Sequence, residues 1–334
     1  MAIRQIYLRG ITFHGIFDRE PGGNVMFTIG RRRKLGFVRL KDVCYAPEPQ
    51  NEEGYDAVYY FNCDRPYGRS IQQLTMLIDL SHEPHELLMS FSKNTRSEIK
   101  KAIDGGQIQI EINENPKTDE IEAYITAYNE NFSAKKNIPF INQFRQRLLY
   151  ELHDQDRLIM STARARDETL CQFLLVDDGD TLICLLAYNT RFLFPEDREK
   201  NRLISRANRL LDYRSMLFAK EQQKKYYDMC GIKLTPDLQP LTNTDKYKHG
   251  FKGTIKCTYH FMLPVTFIGH LYCWAKTISE SLNKTSRTTQ KHNICMELNH
   301  RKENDDGVAQ LSEENGIHPT ERHPLRSGSA GGSS

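Results

Sequence analysis

The chain has 334 residues, of which 39% are hydrophobic and 27% charged, with 16 tyrosines and 16 phenylalanines. This composition is that of a folded globular protein and excludes a wholly disordered chain. The formal net charge is only +3, which excludes the strongly basic profile of a general nucleic-acid binder.

The cysteines argue against a metal site. There are eight, with no CxxC pair and no histidine at zinc-finger spacing, so we expect no bound metal. Cys171 and Cys184 lie in apolar runs, where a reduced cysteine acts as a small buried hydrophobe. The first residues lack the apolar core of a signal peptide, and no run approaches the roughly 18 apolar residues needed to span a bilayer. The sequence therefore predicts a cytoplasmic protein with no membrane span.

Residues 1–65 are predicted to form an N-terminal β-rich segment. Its strands are expected over 5–17, 25–29 and 57–61, separated by glycine and proline turns. A basic cluster, Arg31 to Lys34, is placed in a turn between strands. It could hold phosphate, or it could be a solvated turn, and the low net charge favours the second interpretation.

The main domain is expected over residues 66–280 and begins with a mixture of strands and helices. The hydrophobic periodicity and capping signals define these elements. In chain order they are a strand over 75–80, a helix or helix pair capped at Ser81 and ending at Gly105, a strand over 107–112, and amphipathic helices over 118–132 and 140–152.

A three-stranded antiparallel meander over 158–165, 169–176 and 181–189 is the clearest β signal in the chain. The second half of the domain follows it. It comprises a glycine-free connection, a long helix over 203–223, a strand over 225–229, a loop with a segment at 246–252, a strand over 255–264 and an apolar helix over 265–279. The polar residues 281–334 end in a Gly/Ser-rich run and are predicted to be a disordered tail.

Three segments, together with this order of elements, resemble the GNAT acyltransferases, and among them the FemABX-like branch. Residues 91–102 (Phe-Ser-Lys-Asn-Thr-Arg-Ser-Glu-Ile-Lys-Lys-Ala) resemble the early helical segment of that branch. Residues 225–231 (Lys-Tyr-Tyr-Asp-Met-Cys-Gly) resemble its Tyr-Asp-Leu-Gly-Gly strand end, and residues 247–253 (Tyr-Lys-His-Gly-Phe-Lys-Gly) resemble its Phe-Lys-x-x-Phe-Gly-Gly element.

The resemblance covers about residues 70–265. It implies an α+β fold with a GNAT-like mixed, mainly antiparallel central sheet flanked by helices. Two positions depart from the branch: Cys230 replaces a glycine, and Lys252 stands where the branch usually has a glycine or a phenylalanine.

The resemblance also implies a donor substrate, either acyl-CoA or aminoacyl-tRNA. Acetyl-CoA enzymes of this class carry a glycine loop before the long helix, where backbone N–H groups hold a diphosphate. This chain has no glycine between Thr190 and Arg206. That absence favours aminoacyl-tRNA, whereas the low net charge disfavours a large RNA ligand, so both donors stay open.

Candidate donor-binding groups lie at the end of the meander and at the start of the long helix. The fourth strand of the GNAT domain would present a backbone N–H to the developing oxyanion. A basic stretch at the helix entry suits phosphate by charge and helix dipole, although a solvated helix face is the alternative for each arginine, as it is for Arg96, Lys100 and Lys101. The candidates are Leu186, Ala187, Tyr188, Asn189, Arg198, Arg202 and Arg206.

Four side chains are candidates for the chemistry. Lys248 matches the lysine of the branch and could stabilise an oxyanion or bind a phosphate, or be an exposed loop lysine. Asp228 could orient the amine or anchor a turn. Tyr227 could be an acid or a core residue, and His249 a base or a loop residue.

The expected function is transfer of an acyl or aminoacyl group to an amine. The resemblance implies a small-molecule or glycan-precursor acceptor, either a sugar-nucleotide, a lipid-linked sugar or a peptidoglycan precursor, as in cell-surface polysaccharide biosynthesis. One alternative is a non-catalytic GNAT-fold binding module that has lost its donor site. Another is a nucleic-acid binder that uses Arg31 to Lys34 and the basic helix, with steeply salt-dependent affinity.

Overall fold

The computed structural model describes residues 27–32, 38–50, 53–133 and 140–282. Several predicted features lie outside these ranges: the strand over 5–17, the first two residues of the strand over 25–29, Arg33 and Lys34 of the basic cluster, and the polar tail beyond residue 282. All described residues belong to one compact unit.

Ten strands form one mixed sheet in the order β1-β2-β3-β10-β4-β9-β8-β7-β6-β5. Only the β2/β3 and β8/β9 pairs are parallel among these neighbours, so the sheet is mainly antiparallel, as predicted. The strands are β1 Phe27–Arg32, β2 Arg39–Cys44, β3 Ala57–Cys63, β4 Ile71–Asp79, β5 Gln109–Asn113, β6 Leu158–Ala165, β7 Glu168–Asp177, β8 Thr181–Asn189, β9 Tyr226–Gly231 and β10 Thr254–Pro264.

Helices cover both faces of the sheet. They are α1 Pro84–Ser90, α2 Lys93–Gly105, α3 Thr118–Phe132, α4 Gln143–Asp154, α5 Arg198–Glu221, α6 Asn243–His249 and α7 Phe267–Leu282, with a 3-10 turn at Thr190–Leu193. Successive strand side chains point to opposite faces, and β7 shows the consequence. Phe173 and Leu175 pack with α2 and α5, whereas Leu174 and Val176 pack with α3 and α4.

The predicted fold class is confirmed, and most predicted elements are found within a few residues of their expected ends. The meander and helix α3 agree best, because their periodicity is uninterrupted and their turns are marked by polar residues. Gly106 ends α2 in the left-handed conformation at φ 61°, as the Gly105-Gly106 pair predicts.

Polar capping residues explain why α1 and α5 begin elsewhere than predicted. Helix α1 is capped by Glu83 rather than Ser81, because Pro84 occupies the first helical position and Glu83 forms a capping box with Glu86. Helix α5 begins at Arg198, five residues before the predicted start, because the Asp197 side chain accepts a hydrogen bond from the Lys200 N–H at 2.9 Å. The apolar periodicity alone does not register such a polar first turn.

Two segments interpreted as turns or loops have regular structure instead. Arg31 and Arg32 lie in β1, opposite Leu40 and Arg39 of β2. Residues 243–249 form helix α6, which a capping box between Thr242 and Asp245 starts. Lys248 and His249 are therefore helical residues and not loop residues.

Candidate active site

The sheet opens where the parallel strands β8 and β9 part. Their paired residues end at Ile183, which lies opposite Asp228. Strand β8 continues to Asn189 beside β7 alone, and a bulge leaves Leu185 without a partner on β7. The C-terminal half of β8 therefore borders a gap in the sheet rather than a neighbouring strand.

A buried carboxylate of α5, Asp212, contacts β9 and α6. Asp212 of α5 is 2% exposed, and its two oxygens accept hydrogen bonds from the hydroxyls of Tyr227 (3.0 Å) and Tyr247. Burial raises the pKa of Asp212 to about 6, although the two hydroxyl hydrogen bonds act to lower it. The network ties α5, β9 and α6 together at one point.

The three segments that carry the family resemblance meet around this network. The Ser92 N–H donates to the Gly250 carbonyl at 2.9 Å, and the rings of Phe91 and Phe251 pack edge to face at 5.1 Å. Lys248 Nζ donates to the Gly231 carbonyl at 2.8 Å. Segments from distant parts of the sequence thus form one structural unit at the end of β9.

Asp228 lies on the other face of the sheet and is 4% exposed. Its Oδ1 accepts hydrogen bonds from the Thr75 hydroxyl and from the Cys230 N–H, the latter at 2.7 Å. Burial raises the pKa of Asp228, against the effect of these hydrogen bonds. The bond to Cys230 is the turn anchor that the sequence allowed, so the carboxylate has a structural contact as well as a place near the gap.

A cavity of about 160 Å³ opens beside Asp228, and we refer to it as the acidic cavity. Ile183 and Asp228, the last paired residues before the strands part, both line it. Burial raises the pKa of Asp178 to about 8, and Asp178 Oδ1 has no hydrogen-bond partner among the described residues. The charged residues that line the acidic cavity are Asp64, Asp178, Asp180, Asp228 and Lys256.

Ion pairs engage two of the four carboxyl groups of this lining. Lys256 pairs with Asp64 at 2.7 Å, and the exposed Asp180 pairs with Lys225 at 2.8 Å. The carboxyl groups of Asp178 and Asp228 remain on the wall. A cation bound there would stabilise their ionised forms.

Both positions that depart from the family pattern have left-handed backbone. The φ angle is 60° at Cys230 and 56° at Lys252, a region where glycine is unstrained and other residues are not. The Cys230 thiol lies 4.0 Å from the Tyr45 hydroxyl, and burial raises its pKa to about 12. Glycine occurs in the family pattern at these positions because the backbone there is left-handed. This chain has Cys230 and Lys252 there instead.

The predicted donor residues of β8 divide into two groups. Tyr188 is buried and donates its hydroxyl hydrogen bond to Gln172 Oε1 at 3.0 Å, and Asn189 accepts from the Arg191 N–H at 3.4 Å. Both side chains are engaged within the fold. Leu186 and Ala187 lie in the part of β8 beyond its last contact with β9, so their backbone borders the gap.

The predicted arginines are not equivalent. Arg206 Nε pairs with Glu98 of α2 at 3.0 Å, which is a contact between helices. Arg198 and Arg202 are exposed at the start of α5, where the carboxylate of Asp197 already accepts a backbone N–H. Arg96 donates to the carbonyls of Met89 and Phe91, so it closes the end of α1.

Tyr227 and His249 complete the predicted set. Tyr227 is fully buried, and burial raises its pKa well above the usual value for a phenol. His249 is half-buried at the end of α6 and is not among the residues lining the acidic cavity. The structure therefore groups Tyr227, Asp228 and Lys248 around the end of β9, with His249 beside them in sequence.

Sequence reasoning missed Asp212, Asp178 and Thr75. Asp212 interrupts the apolar face of α5 between Leu211 and Tyr213, and a charged residue at such a position is a signal for a buried polar contact. Asp178 has the appearance of an ordinary turn residue in Asp177-Asp178-Gly179. Thr75 has that of an ordinary strand residue.

Within the described ranges, no group of three or more His, Cys, Asp or Glu residues is arranged to hold a metal ion. A search of the same residues finds no helix long and apolar enough to cross a membrane. Cys171 is fully buried and Cys184 half-buried, as their apolar sequence context predicts.

The family model of the acetyltransferase (GNAT) domain matches residues 89–249, which run from the end of α1 through α6. Residues 89–249 are therefore similar in sequence to a GNAT-type acetyltransferase domain. The fold is similar to that of FemX, whose crystal structure superposes with a TM-score of 0.54 at 11% identity, over 78% of this chain and 90% of that chain.

Two further solved structures are similar at lower scores. The C-terminal domain (DUF2156) of a putative lysylphosphatidylglycerol synthetase from Agrobacterium fabrum has a TM-score of 0.45 at 10% identity, over 80% of this chain and 88% of that one. L-PGS from Bacillus licheniformis has a TM-score of 0.45 at 11% identity, over 77% and 87%. No curated protein matches the chain by sequence.

Proposed function

We propose that this chain is an N-acyltransferase that moves an acyl or aminoacyl group from acyl-CoA or aminoacyl-tRNA onto an amine. The observation that carries the proposal is the parting of β8 from β9 directly beside the acidic cavity. A gap bordered by free backbone suits a planar carbonyl group, and a wall of buried carboxyl groups suits an ammonium. The acyl donor and the amine acceptor thus have neighbouring binding places.

On the acceptor side, the amine occupies the acidic cavity near Asp178 and Asp228. An amine must lose its proton before its nitrogen can attack a carbonyl carbon. The raised pKa of Asp228 makes it a better proton acceptor than an ordinary aspartate. Asp228 accordingly receives the proton as the carbon–nitrogen bond forms.

On the donor side, the carbonyl oxygen accepts a hydrogen bond from one backbone N–H of β8, at Leu186 or Ala187. The ammonium of Lys248, held by the Gly231 carbonyl, adds positive charge at the end of β9. The bond from the carbonyl carbon to the thioester sulfur of CoA, or to the ribose oxygen of tRNA, then breaks, and the leaving group takes up a proton. Tyr227, bound to Asp212, is a positioning residue in this scheme.

The start of α5 distinguishes the two donors in part. Asp197 places a carboxylate where a glycine-loop enzyme binds the diphosphate of CoA, and like charges at that point repel. The absence of glycine between Thr190 and Arg206 favours aminoacyl-tRNA, and the exposed side chains of Arg198 and Arg202 are its candidate phosphate contacts. The family resemblance supports an acceptor amine on a sugar-nucleotide, a lipid-linked sugar or a peptidoglycan precursor in the cytoplasm.

The test supplies the full-length protein with labelled acetyl-CoA or charged tRNA and a panel of amino-sugar and peptide amines, and detects amide products by mass spectrometry. We expect a donor-dependent product that Asp228→Asn reduces by at least about a hundredfold, as expected for loss of a general base. Asp237→Asn is the matched control, because Asp237 is an exposed residue that does not line the acidic cavity.

Absence of product with both donors, together with no thermal shift on adding CoA or charged tRNA, would contradict the proposal. The remaining interpretation would then be the non-catalytic binding module. The carboxylate of Asp197 at the α5 start is the feature of the fold that agrees with it.

A further inference from the structure

A second, larger cavity lies between α3 and the strands β5 to β8. Its volume is about 420 Å³, within the range of small-molecule sites. We call it the α3 cavity. None of the residues that line it lines the acidic cavity, so the two are distinct.

Two side chains in the wall of the α3 cavity are buried without hydrogen-bond partners. Asn131 is 5% exposed, and both its amide nitrogen and its amide oxygen lack a partner among the described residues. The hydroxyl of Tyr124, 1% exposed, lacks one as well. Burying such groups without a partner is unfavourable, and because both residues line the α3 cavity, this points to a partner that enters it.

The opposite wall carries polar groups with fixed orientation. Tyr188 donates its hydroxyl hydrogen bond to Gln172 Oε1 at 3.0 Å, and Gln172 Nε2 donates to the Thr162 hydroxyl at 3.0 Å. These two hydrogen bonds fix the orientation of Tyr188, Gln172 and Thr162 before any ligand binds. A preorganised wall lowers the entropic cost of binding a hydroxyl-bearing molecule.

The rim of the α3 cavity is negatively charged. Glu111, Glu120 and Glu130 line it against one cation, Arg164, whose Nε lies 3.8 Å from Glu111. The oxygen Oε2 of Glu120 accepts hydrogen bonds from the Lys117 N–H and from Asn113, neither of which neutralises its charge. The excess of carboxylates repels phosphates and carboxylic acids and attracts an ammonium.

We propose that the α3 cavity binds a small hydroxyl-bearing amine. Its hydroxyls pair with Asn131 and Tyr124, since a hydroxyl both donates and accepts as these groups require. Its ammonium lies towards Glu120 and Glu130. The site is separate from the proposed acyl transfer, because that proposal assigns no role to Asn131, Tyr124, Glu120 or Glu130.

The test uses three sugars of similar size and different charge: D-glucosamine, D-glucose and D-gluconate. Calorimetric titration of the full-length protein should show saturable binding that is strongest for glucosamine, weaker for glucose and absent for gluconate. Tyr124→Phe removes only the unpaired hydroxyl, and we expect glucosamine binding about tenfold weaker.

Asn131→Leu replaces an unsatisfied amide by an apolar side chain of similar size. We expect its unfolding temperature not to fall, while glucosamine affinity drops by about tenfold or more. Glu130→Gln should weaken glucosamine binding but not glucose binding. The matched control is Glu122→Gln on the same helix, because Glu122 is exposed, accepts from the Tyr150 hydroxyl at 3.4 Å and does not line the cavity.

Three results would overturn the proposal. The first is the absence of saturable glucosamine binding. The second is equal affinity for glucosamine and gluconate. The third is unchanged affinity in a folded Tyr124→Phe variant, which would place the sugar elsewhere on the protein.

Discussion

Asp212 is a charged residue on the apolar face of a helix, and its polar partners cannot be recognised from its neighbours in sequence. It lies in the apolar face of α5, yet its two oxygens are bound by hydroxyls that come from β9 and from α6. A buried carboxylate is tolerated when its oxygens are hydrogen-bonded, and it then specifies which elements must meet. At this position it ties the long helix to both segments that carry the lysine and the tyrosines of the candidate site.

The raised pKa of Asp212 predicts a pH-dependent stability. The value is 3.8 for the ordinary carboxyl and about 6 in the folded chain, so the folded state binds the proton more tightly than the unfolded state. Protonated Asp212 therefore adds to the free energy of unfolding. This stabilisation is complete below the unfolded pKa and is lost as pH rises through the folded pKa, by about 3 kcal/mol in total. Urea unfolding between about pH 4 and pH 7 measures it.

The variant Asp212→Asn cannot titrate and should lack this loss. Its free energy of unfolding, relative to wild type, should therefore rise between about pH 4 and pH 7. Asp237→Asn, a change at an exposed loop residue, should follow wild type across the same range. Parallel curves for Asp212→Asn and wild type would show that the carboxyl is ionised at no cost in the folded state.

The connection between α6 and β10 passes so close to β4 that only glycine fits at one position. A Cβ atom built on Gly253 would lie 2.5 Å from the Leu77 carbonyl oxygen and 2.8 Å from Met76 Cγ. Gly253 is the last residue of the third family-like segment. The glycine is required there because backbone meets backbone.

Gly253→Ala should destabilise the protein by about 2 kcal/mol, since the extra methyl group forces β4 and β10 apart. Thermal unfolding by circular dichroism measures the loss. Gly231→Ala is the matched control, because a Cβ at Gly231 meets nothing within 4 Å. An equal effect of the two substitutions would mean that chain flexibility, and not contact with β4, explains the loss.

At the scale of the whole molecule, the described part of the chain leaves one apolar helix face uncovered. Helix α7 packs against β10 and β3, yet Phe267, Leu271 and Trp274 are 77%, 52% and 65% exposed. These side chains recur at helical spacing and so lie on one face. An exposed stripe of this kind has a direct optical signature, because the chain contains a single tryptophan.

The fluorescence of Trp274 should resemble that of a tryptophan in water, and iodide should quench it nearly as well as it quenches N-acetyltryptophanamide. Urea should shift the emission only slightly, because the side chain is 65% exposed in the folded state. A strongly blue-shifted emission protected from iodide would instead mean that another molecule or another part of the chain covers α7 in solution.

The elements with strong local periodicity were predictable from the amino-acid sequence. The meander, α3, the end of α2 at Gly106 and the strand β10 follow from alternation, amphipathic spacing and glycine chemistry, which act between near neighbours. The three family-like segments also identified the end of β9 as the candidate site. The starts of α1 and α5 and the whole of α6 were missed, because their signals are one or two capping residues without an apolar periodicity.

Which of those residues meet depends on contacts between distant parts of the chain. The hydrogen bond between Thr75 and Asp228 joins positions 153 residues apart, and that between Tyr247 and Asp212 joins positions 35 apart. The parting of β8 from β9, the acidic cavity and the α3 cavity exist only between elements. Burial and long-range contact set the pKa values and the open spaces of this protein, and neither is a property of a residue and its sequence neighbours.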